Sequence, residues 1–181
     1  EYIEDIFSEA SGYGLHAQVG EFFNQIQELV KNPTSPEIRT LLRQSAEKLT
    51  EVIHQYAGQL QDLRNQQDYA LKVSLKQVNS WAQKIAVLNE QIFKFELSGE
   101  KANDLRDSRN LILDQLSEMV NIRVEENASG QISVYIGDQV LVQHTTANAI
   151  SYDDSGPMTV IDPDWQSQIT GGKLKGYLEI R

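Results

Sequence analysis

The three histidines are the most versatile chemical groups of this sequence, because imidazole binds metals and transfers protons near neutral pH. His16, His54 and His144 fall in three different predicted elements. None of them has another histidine four residues away, the spacing that places two ligands on one helix face. We therefore interpret all three as ordinary surface or boundary residues, with no support for metal-dependent hydrolysis.

Three carboxylate clusters are the next candidates, because grouped acids can bind calcium. They are Glu125-Glu126, Asp153-Asp154 and Asp162-Pro163-Asp164. A calcium-binding loop alternates oxygen ligands along the chain and ends with a glutamate. None of the three clusters has this pattern, so we expect solvated charges on loops or strands.

The glycine and serine pairs lack the surroundings that catalysis needs. Gly171-Gly172-Lys173 is followed by Leu174 and lacks the upstream glycine of a phosphate-binding loop, so it is interpreted as a turn. Ser129-Gly130 and Ser155-Gly156 lie in turn contexts, and no serine has an obvious base. The sequence therefore predicts no catalytic residue, no cofactor-binding residue and no metal ligand.

Composition indicates a folded protein with a limited set of partners. The 181 residues are 40% apolar and 23% charged, as in folded proteins of one or two domains. A net charge of −10 with scattered basic residues argues against nucleic acid and anionic membranes as partners. The absence of cysteine excludes disulfides and thiolate chemistry.

The ends of the sequence predict a fragment of a longer protein. The first residue is Glu1 rather than methionine, and the start lacks the charge pattern of a secretory signal. An apolar pattern at Leu174, Tyr177 and Leu178 runs almost to Arg181 and looks ready to continue. No stretch reaches the roughly 18 apolar residues that a membrane-spanning helix needs.

One long helix dominates the predicted architecture, from about Ile38 to Phe95. Steps of four and three between apolar residues favour a seam packed along a partner helix, in a rod roughly 90 Å long. The seam weakens at Gln67, Ala70 and Ser74, where we expect the loosest packing. The seam residues are Leu49, Ile53, Tyr56, Leu60, Leu63, Val78, Trp81, Ile85, Leu88, Ile92 and Phe95.

Shorter helices are predicted on both sides, over 2–10, 15–31 and from 103 or 104 to about 121. Ser35 is expected to cap the long helix, with Pro36 at the first helical position. Asp104 is expected to cap the following helix, with Asp107 returning a hydrogen bond to the cap amide.

The period changes to two from Ile122, which predicts a small antiparallel meander. Its strands are expected at 122–124, 132–136 and 140–142, with a further short strand near 158–161. Residues 171–178 resemble a loop that enters another helix. The predicted fold class is α+β, mainly α: a long antiparallel helical bundle or coiled-coil rod with a small β meander. The predicted divisions are a helical rod over 1–121, a β region over 122–169 and the start of a returning helix over 170–181.

The segment from Asn103 to Ser117 resembles the most recognisable stretch of the bacterial flagellar hook-associated protein 1 family, FlgK, whose pattern is close to NDLLDQRDxLLxxLS. The sequence departs from that pattern at Arg106, Ser108 and Asn110. It keeps Asn103, Asp104, Leu105, Asp107, Arg109, Leu113, Leu116 and Ser117.

Three other stretches resemble the same family in the right order. Phe22-Phe23 with Leu29, Pro33 and Arg39 is similar to its first core helices. Residues 78–92 are similar to its VN…IAxLNxQI segment, and residues 171–181 to its GGxLxGLLxxR element. The resemblance spans nearly the whole chain, although the family's polymerising termini and most of its outer domain are missing.

The resemblance implies a non-enzymatic structural protein of the bacterial flagellum that joins hook to filament and serves motility. It would be extracellular, exported by the type III apparatus without a cleaved signal peptide. Implied partners are the hook protein, the second junction protein, an export chaperone bound by segments absent here, and further copies of itself in the assembled flagellum. The fragment alone is expected to be monomeric. Asn103, Asp104, Asp107 and Arg109 are expected to be structural, with Arg109 pairing with a carboxylate or binding carbonyls.

Two other functions stay open at this point. The 38–95 helix could pair with its copy in a homodimeric coiled-coil interaction or signalling segment. An enzyme acting on an extracellular polymer would need two carboxylates in one cleft, and the β region is short and has few paired acids.

Overall fold

The computed structural model describes residues 14–180, so the helix predicted over 2–10 lies outside the described residues. Five helices are described: α1 (Leu15–Lys31), α2 (Pro36–Glu96), α3 (Asn103–Met119), α4 (Pro163–Gln166) and α5 (Gly172–Ile180). Six strands are described: β1 (Arg123–Glu126), β2 (Ile132–Ile136), β3 (Gln139–Gln143), β4 (Thr146–Ala147), β5 (Tyr152–Asp153) and β6 (Val160–Ile161). The mainly α, α+β fold class is confirmed.

The chain divides into two compact units, residues 1–64 and 65–181, and the boundary falls within α2. In the described part of the first unit, only Ser45 and Leu63 are buried. Helix α1 has no buried residue, and its Phe23 and Val30 are exposed.

Helix α2 starts with the predicted cap. The Ile38 amide donates to Ser35 Oγ at 3.3 Å, so one of the free amides of the first turn has a partner. The Ser35 hydroxyl donates in turn to the Glu37 carboxylate at 2.7 Å, and this hydrogen bond lowers the pKa of Glu37. The Arg39 guanidinium closes the preceding turn by donating to the Pro33 carbonyl at 2.8 Å.

The core of the second unit starts further towards the N-terminus of α2 than the sequence predicted. Leu71 and Leu75 are fully buried and Ser74 is nearly so, which makes the expectation of loosest packing around Ser74 wrong. Trp81 and Leu88 are only half-buried, and Phe95 is 47% exposed. Within the second unit, the buried face of α2 consists of Leu71, Ser74, Leu75, Val78, Ala82, Ile85, Ala86, Asn89 and Ile92.

Val78, Ile85 and Ile92 belong both to the predicted seam and to this buried face. In place of Trp81 and Leu88, the helix buries Ala82 and Asn89, each one position later. The displacement follows from the neighbours, because the strands β2 and β3, together with Trp165 and Leu174, belong to the same buried cluster. Packing against a sheet therefore replaces the symmetric seam that a coiled coil would need.

Four strands form an antiparallel sheet in the order β1-β2-β3-β4, and β5 pairs with β6. Strand β2 is almost entirely buried, whereas every residue of β1 is exposed. The predicted meander is present. Strands β4 and β5 and helix α4 were not predicted, because they are short and lie in a polar stretch.

Helix α5 packs against α3 at a position that only glycine can occupy. Gly172 has φ +80°, and a Cβ there would lie 2.5 Å from the Met119 carbonyl. This close approach explains the glycine at the start of the predicted returning helix.

Candidate functional site: the helix–sheet junction

Asn89 lies at the centre of the contact between α2 and the sheet and is fully buried. Its Nδ2 donates to the carbonyls of Ile132 and His144, at 2.8 and 2.5 Å. Its Oδ1 accepts from the Ile132 amide at 3.2 Å and from Arg109 at 2.9 Å. The side chain thus binds both backbone groups of Ile132, as a neighbouring strand would, and uses its full hydrogen-bonding capacity.

Asn79 binds a second loop in the same way, within the same unit. Its Oδ1 accepts from the Ile150 amide at 2.7 Å, and its Nδ2 donates to the Ile150 carbonyl at 3.1 Å. Closer to the N-terminus of α2, Asp68 accepts from the amide and the hydroxyl of Thr159, at 2.8 and 3.0 Å. Three side chains of one helix therefore hold three points of the β region.

Arg109 connects α3 to the same place. Its side chain is only 2% exposed. Its Nη1 donates to Asn89 and to the Gly130 carbonyl at 2.7 Å, while its Nη2 lies 4.0 Å from a Glu126 oxygen. Burial lowers the pKa of Arg109, and its Nε has no hydrogen-bond partner.

Arg106 links the end of α2 to α3 and to β1. Its Nε and Nη2 each donate to a Glu96 oxygen at 2.7 Å, and its Nη1 donates to Glu126 at 2.7 Å. Glu96 also accepts from the Ala102 amide at 3.1 Å. The hydrogen bonds from Arg106, and then that from Ala102, lower the pKa of Glu96 from 4.5 to about 2. Two-point guanidinium–carboxylate contacts of this kind fix orientation as well as distance.

The turn between β1 and β2 fits closely over this cluster. Gly130 has φ +75°, and a Cβ there would lie 2.3 Å from Arg106 Nη2 and 2.8 Å from a Glu96 oxygen. Asn127 shapes the turn, because its Oδ1 accepts from the amides of Ser129 and Gln131. The turn therefore requires glycine at this position for its backbone conformation and for space.

Asn121, just after the other end of α3, also binds backbone groups of a distant loop. Its Oδ1 accepts from the amides of Thr170 and Gly171, and its Nδ2 donates to the Gln168 carbonyl. The Gly171-Gly172 turn is thereby held next to α3.

The predicted capping role of Asp104 is wrong. Helix α3 begins at Asn103 with Ala102 at the cap position, and no side chain caps it from there. Asp104 lies inside the first turn, so its side chain is too late in the helix to cap it. The amide of the observed cap residue, Ala102, donates to the Glu96 carboxylate. Asn103, Asp104 and Asp107 are exposed.

The other candidates from the sequence are spread over the fold. His16 lies in α1 and His54 in α2, while His144 lies in the β3–β4 turn with φ +53° and offers only its carbonyl to Asn89. Within residues 14–180, no group of three His, Asp or Glu side chains could hold a metal ion.

Carboxylates in each of the acidic clusters have partners within the fold. Asp154 pairs with Lys72 at 2.5 Å, and Asp153 accepts from the amide and hydroxyl of Ser155. These contacts lower the pKa of both carboxyls. Asp162 accepts from the Asp164 amide and caps α4.

The described geometry defines a structural module in which a long helix holds a small β region through buried amides and ion pairs. No helix among the described residues has the length and apolar character needed to cross a bilayer. The family model "Flagellar hook-associated protein FlgK helical domain" matches residues 1–181. The chain therefore belongs to the FlgK helical-domain family.

Curated relatives agree with this membership. The chain is 30% identical over 128 residues to flagellar hook-associated protein 1 of Bacillus subtilis, covering 71% of this chain and 25% of the relative. It is 29% identical over 152 residues to the protein of the same name in Escherichia coli, covering 82% and 28%. The chain thus spans little more than a quarter of the length of these relatives.

A solved structure shows the same fold. The flagellar hook junction protein FlgK from Burkholderia pseudomallei superposes with a TM-score of 0.81 at 24% identity, covering 99% of this chain and 35% of that one.

Proposed function

We propose that this chain is the helical segment of a junction protein that joins hook to filament in the bacterial flagellum, a structural role without catalysis. The match of the family model to the entire chain is the observation that carries the proposal. The same match favours this role over a general coiled-coil interaction segment.

The contacts of α2 suggest how such a segment works. A joint that transmits torque needs parts that do not shift against each other under load. Asn79 and Asn89 bind backbone groups of the β region, and Asp68 binds the backbone amide of Thr159 as well as its hydroxyl. Backbone contacts fix the position and register of the β region directly, so a force on its backbone passes through these three side chains into the helix.

The proposed partners are the hook protein, the second junction protein and further copies of the same protein. A chaperone would bind the protein before export, through segments outside this chain. The proposed location is extracellular, in the flagellum, after export without a cleaved signal peptide.

The proposed division of the chain is a helical rod over 1–121, a β region over 122–169 and the start of a returning helix over 170–181. Among the described residues, α1 to α3 lie in the first part and all six strands in the second, which supports the proposal. Within the motif of Asn103, Asp104, Asp107 and Arg109, we assign the structural role to Arg109, because it alone is buried. The three exposed members lie at the surface of α3.

Gene deletion tests the proposal in the bacterium that encodes the chain. Without the full-length protein, electron microscopy should show hooks without filaments, and filament subunits should accumulate in the medium. Expression of the wild-type gene from a plasmid should restore attached filaments, whereas an empty plasmid should not. Normal filaments in the deletion strain would refute the role.

A further inference from the structure

Strand β1 differs from the rest of the sheet in how it is held. All four of its residues are exposed, whereas β2 is almost entirely buried. Its backbone pairs with β2, and two of its side chains add contacts to the rest of the fold. The Arg123 guanidinium lies over the Tyr135 ring, and the Glu126 carboxylate pairs with Arg106. The core lies under β2, so β1 contributes no buried side chain to it.

The Glu126 carboxylate provides the electrostatic attachment of this strand to the helices. It accepts from Arg106 at 2.7 Å and lies 4.0 Å from Arg109. The other carboxylate of the cluster, Glu96, binds Arg106 and the Ala102 amide. For the buried charge of Arg109, Glu126 is therefore the nearest acidic group.

The position of β1 against the helices also has an energetic cost. Arg109 is almost completely buried while its Nε lacks a hydrogen-bond partner, and a buried polar atom without a partner is unfavourable. Its pKa is lowered by burial, which is a further sign that the charge is incompletely compensated. If residues 123–130 moved away, water would reach the guanidinium and satisfy the free Nε.

We propose that residues 123–130, named here the strap, open from β2 as a local unit, and that the carboxylate of Glu126 controls this opening by holding the strap on Arg106 and Arg109. Strand β2 stays in place during the opening, because Asn89 binds Ile132 and the side chains of β2 are in the core. The strap is thus a conformational device at the junction of helix and sheet.

Hydrogen exchange of the 181-residue chain tests this proposal. In Glu126→Gln, amides of the strap should exchange up to about fivefold faster than in the wild type, while amides that pair β2 with β3 keep their rates. Glu125→Gln is the matched control, because the neighbouring carboxylate is also exposed and contacts Arg123 rather than the helices. Unchanged strap exchange in Glu126→Gln, or an equal acceleration throughout the sheet, would overturn the proposal.

Salt provides a test that needs no variant. In the wild type, about 1 M NaCl should accelerate exchange in the strap more than in the β2–β3 pairing, because salt screens partly exposed ion pairs. The same salt should have little effect on the strap of Glu126→Gln. A wild-type strap whose exchange does not respond to salt would contradict the electrostatic control.

Discussion

Glu96 and Arg106 form a two-point ion pair, with Oε1–Nε and Oε2–Nη2 distances of 2.7 Å, that joins the last turn of α2 to the first turns of α3. The same arginine reaches Glu126 of β1 through its third nitrogen. Two helices and one strand therefore meet on a single guanidinium, and arginine is the side chain whose planar group can serve both carboxylates at once.

This ion pair predicts an acid dependence of stability. The pKa of Glu96 in the folded chain is about 2, below its ordinary value of 4.5. The charged carboxylate therefore stabilises the fold above about pH 4.5, and this contribution is lost as the pH falls from 4.5 to 2. Measured by urea unfolding over this pH range, the free energy of unfolding should fall more steeply in the wild type than in Glu96→Gln. Glu90→Gln, which alters an exposed pair with Lys94, should follow the wild type. Parallel curves for wild type and Glu96→Gln would contradict this.

Removal of the Asn89 side chain should be severely destabilising. Asn89→Ala leaves the Ile132 amide, two carbonyls and Arg109 Nη1 without this partner inside the core. We expect a loss of about 3 kcal/mol in the free energy of unfolding. Gln91→Ala, at an exposed position of the same helix, should stay within about 0.5 kcal/mol of the wild type. Equal stabilities of the two variants would refute the role of Asn89.

Gly130→Ala should be destabilising for two reasons. The added Cβ would meet Arg106, and alanine is disfavoured at φ +75°. We expect a cost of roughly 2 kcal/mol, measured by urea denaturation. Gly58→Ala is a matched control within α2, since a Cβ there meets nothing within 4 Å. Because alanine has the higher helix propensity, this control should raise stability by up to about 1 kcal/mol. A neutral Gly130→Ala would contradict the close fit of the turn.

The two cap positions predicted from the sequence should respond differently to truncation. Ser35→Ala removes the acceptor of the Ile38 amide and should cost about 1 kcal/mol. Asp104→Ala removes only an acidic group from the first turn of α3, which is worth a few tenths of a kcal/mol. Thermal denaturation followed by circular dichroism compares them. A larger effect at Asp104 would restore the capping role that the structure denies it.

The oligomeric state distinguishes the proposed role from a coiled-coil interaction segment. Sedimentation of the 181-residue chain should give a monomer, because the face that α2 buries from Leu71 to Ala86 is already covered by its own β region. A stable dimer at moderate concentration would favour the coiled-coil function instead.

The long helices and the meander could be predicted because each leaves a periodic pattern within a short stretch of sequence. The buried face of α2 was harder to predict from the sequence, because whether Leu88 or Asn89 is buried depends on what packs against the helix. Asn89 binds residues 43 and 55 positions away, and Asn79 binds a residue 71 positions away. By polarity alone both resemble solvated helix positions, because no local pattern records a distant partner. The sequence signal for them is that both belong to the segment 78–92 that resembles the FlgK family pattern.

Arg106 is a second case in which the sequence does not reveal distant partners. It departs from the pattern of the flagellar family, so the resemblance gives it no role, yet it pairs with both Glu96 and Glu126 at the junction. Its partners Glu96 and Glu126 lie 10 and 20 residues away. Arg109 was expected to pair with a carboxylate or bind carbonyls, but its burial between α2 and the β1–β2 turn could be found only from the fold.

The most direct test of the account is the attachment of filaments under shear, with the full-length protein in a strain that lacks its gene. The wild type and Gln91→Ala should retain filaments equally after shearing, as counted by electron microscopy, because neither alters the helix–sheet junction. Asn89→Ala, exported to the same level, should lose a large fraction of its filaments. Equal retention by Asn89→Ala and the wild type would contradict the claim that the fixed β region bears load between hook and filament.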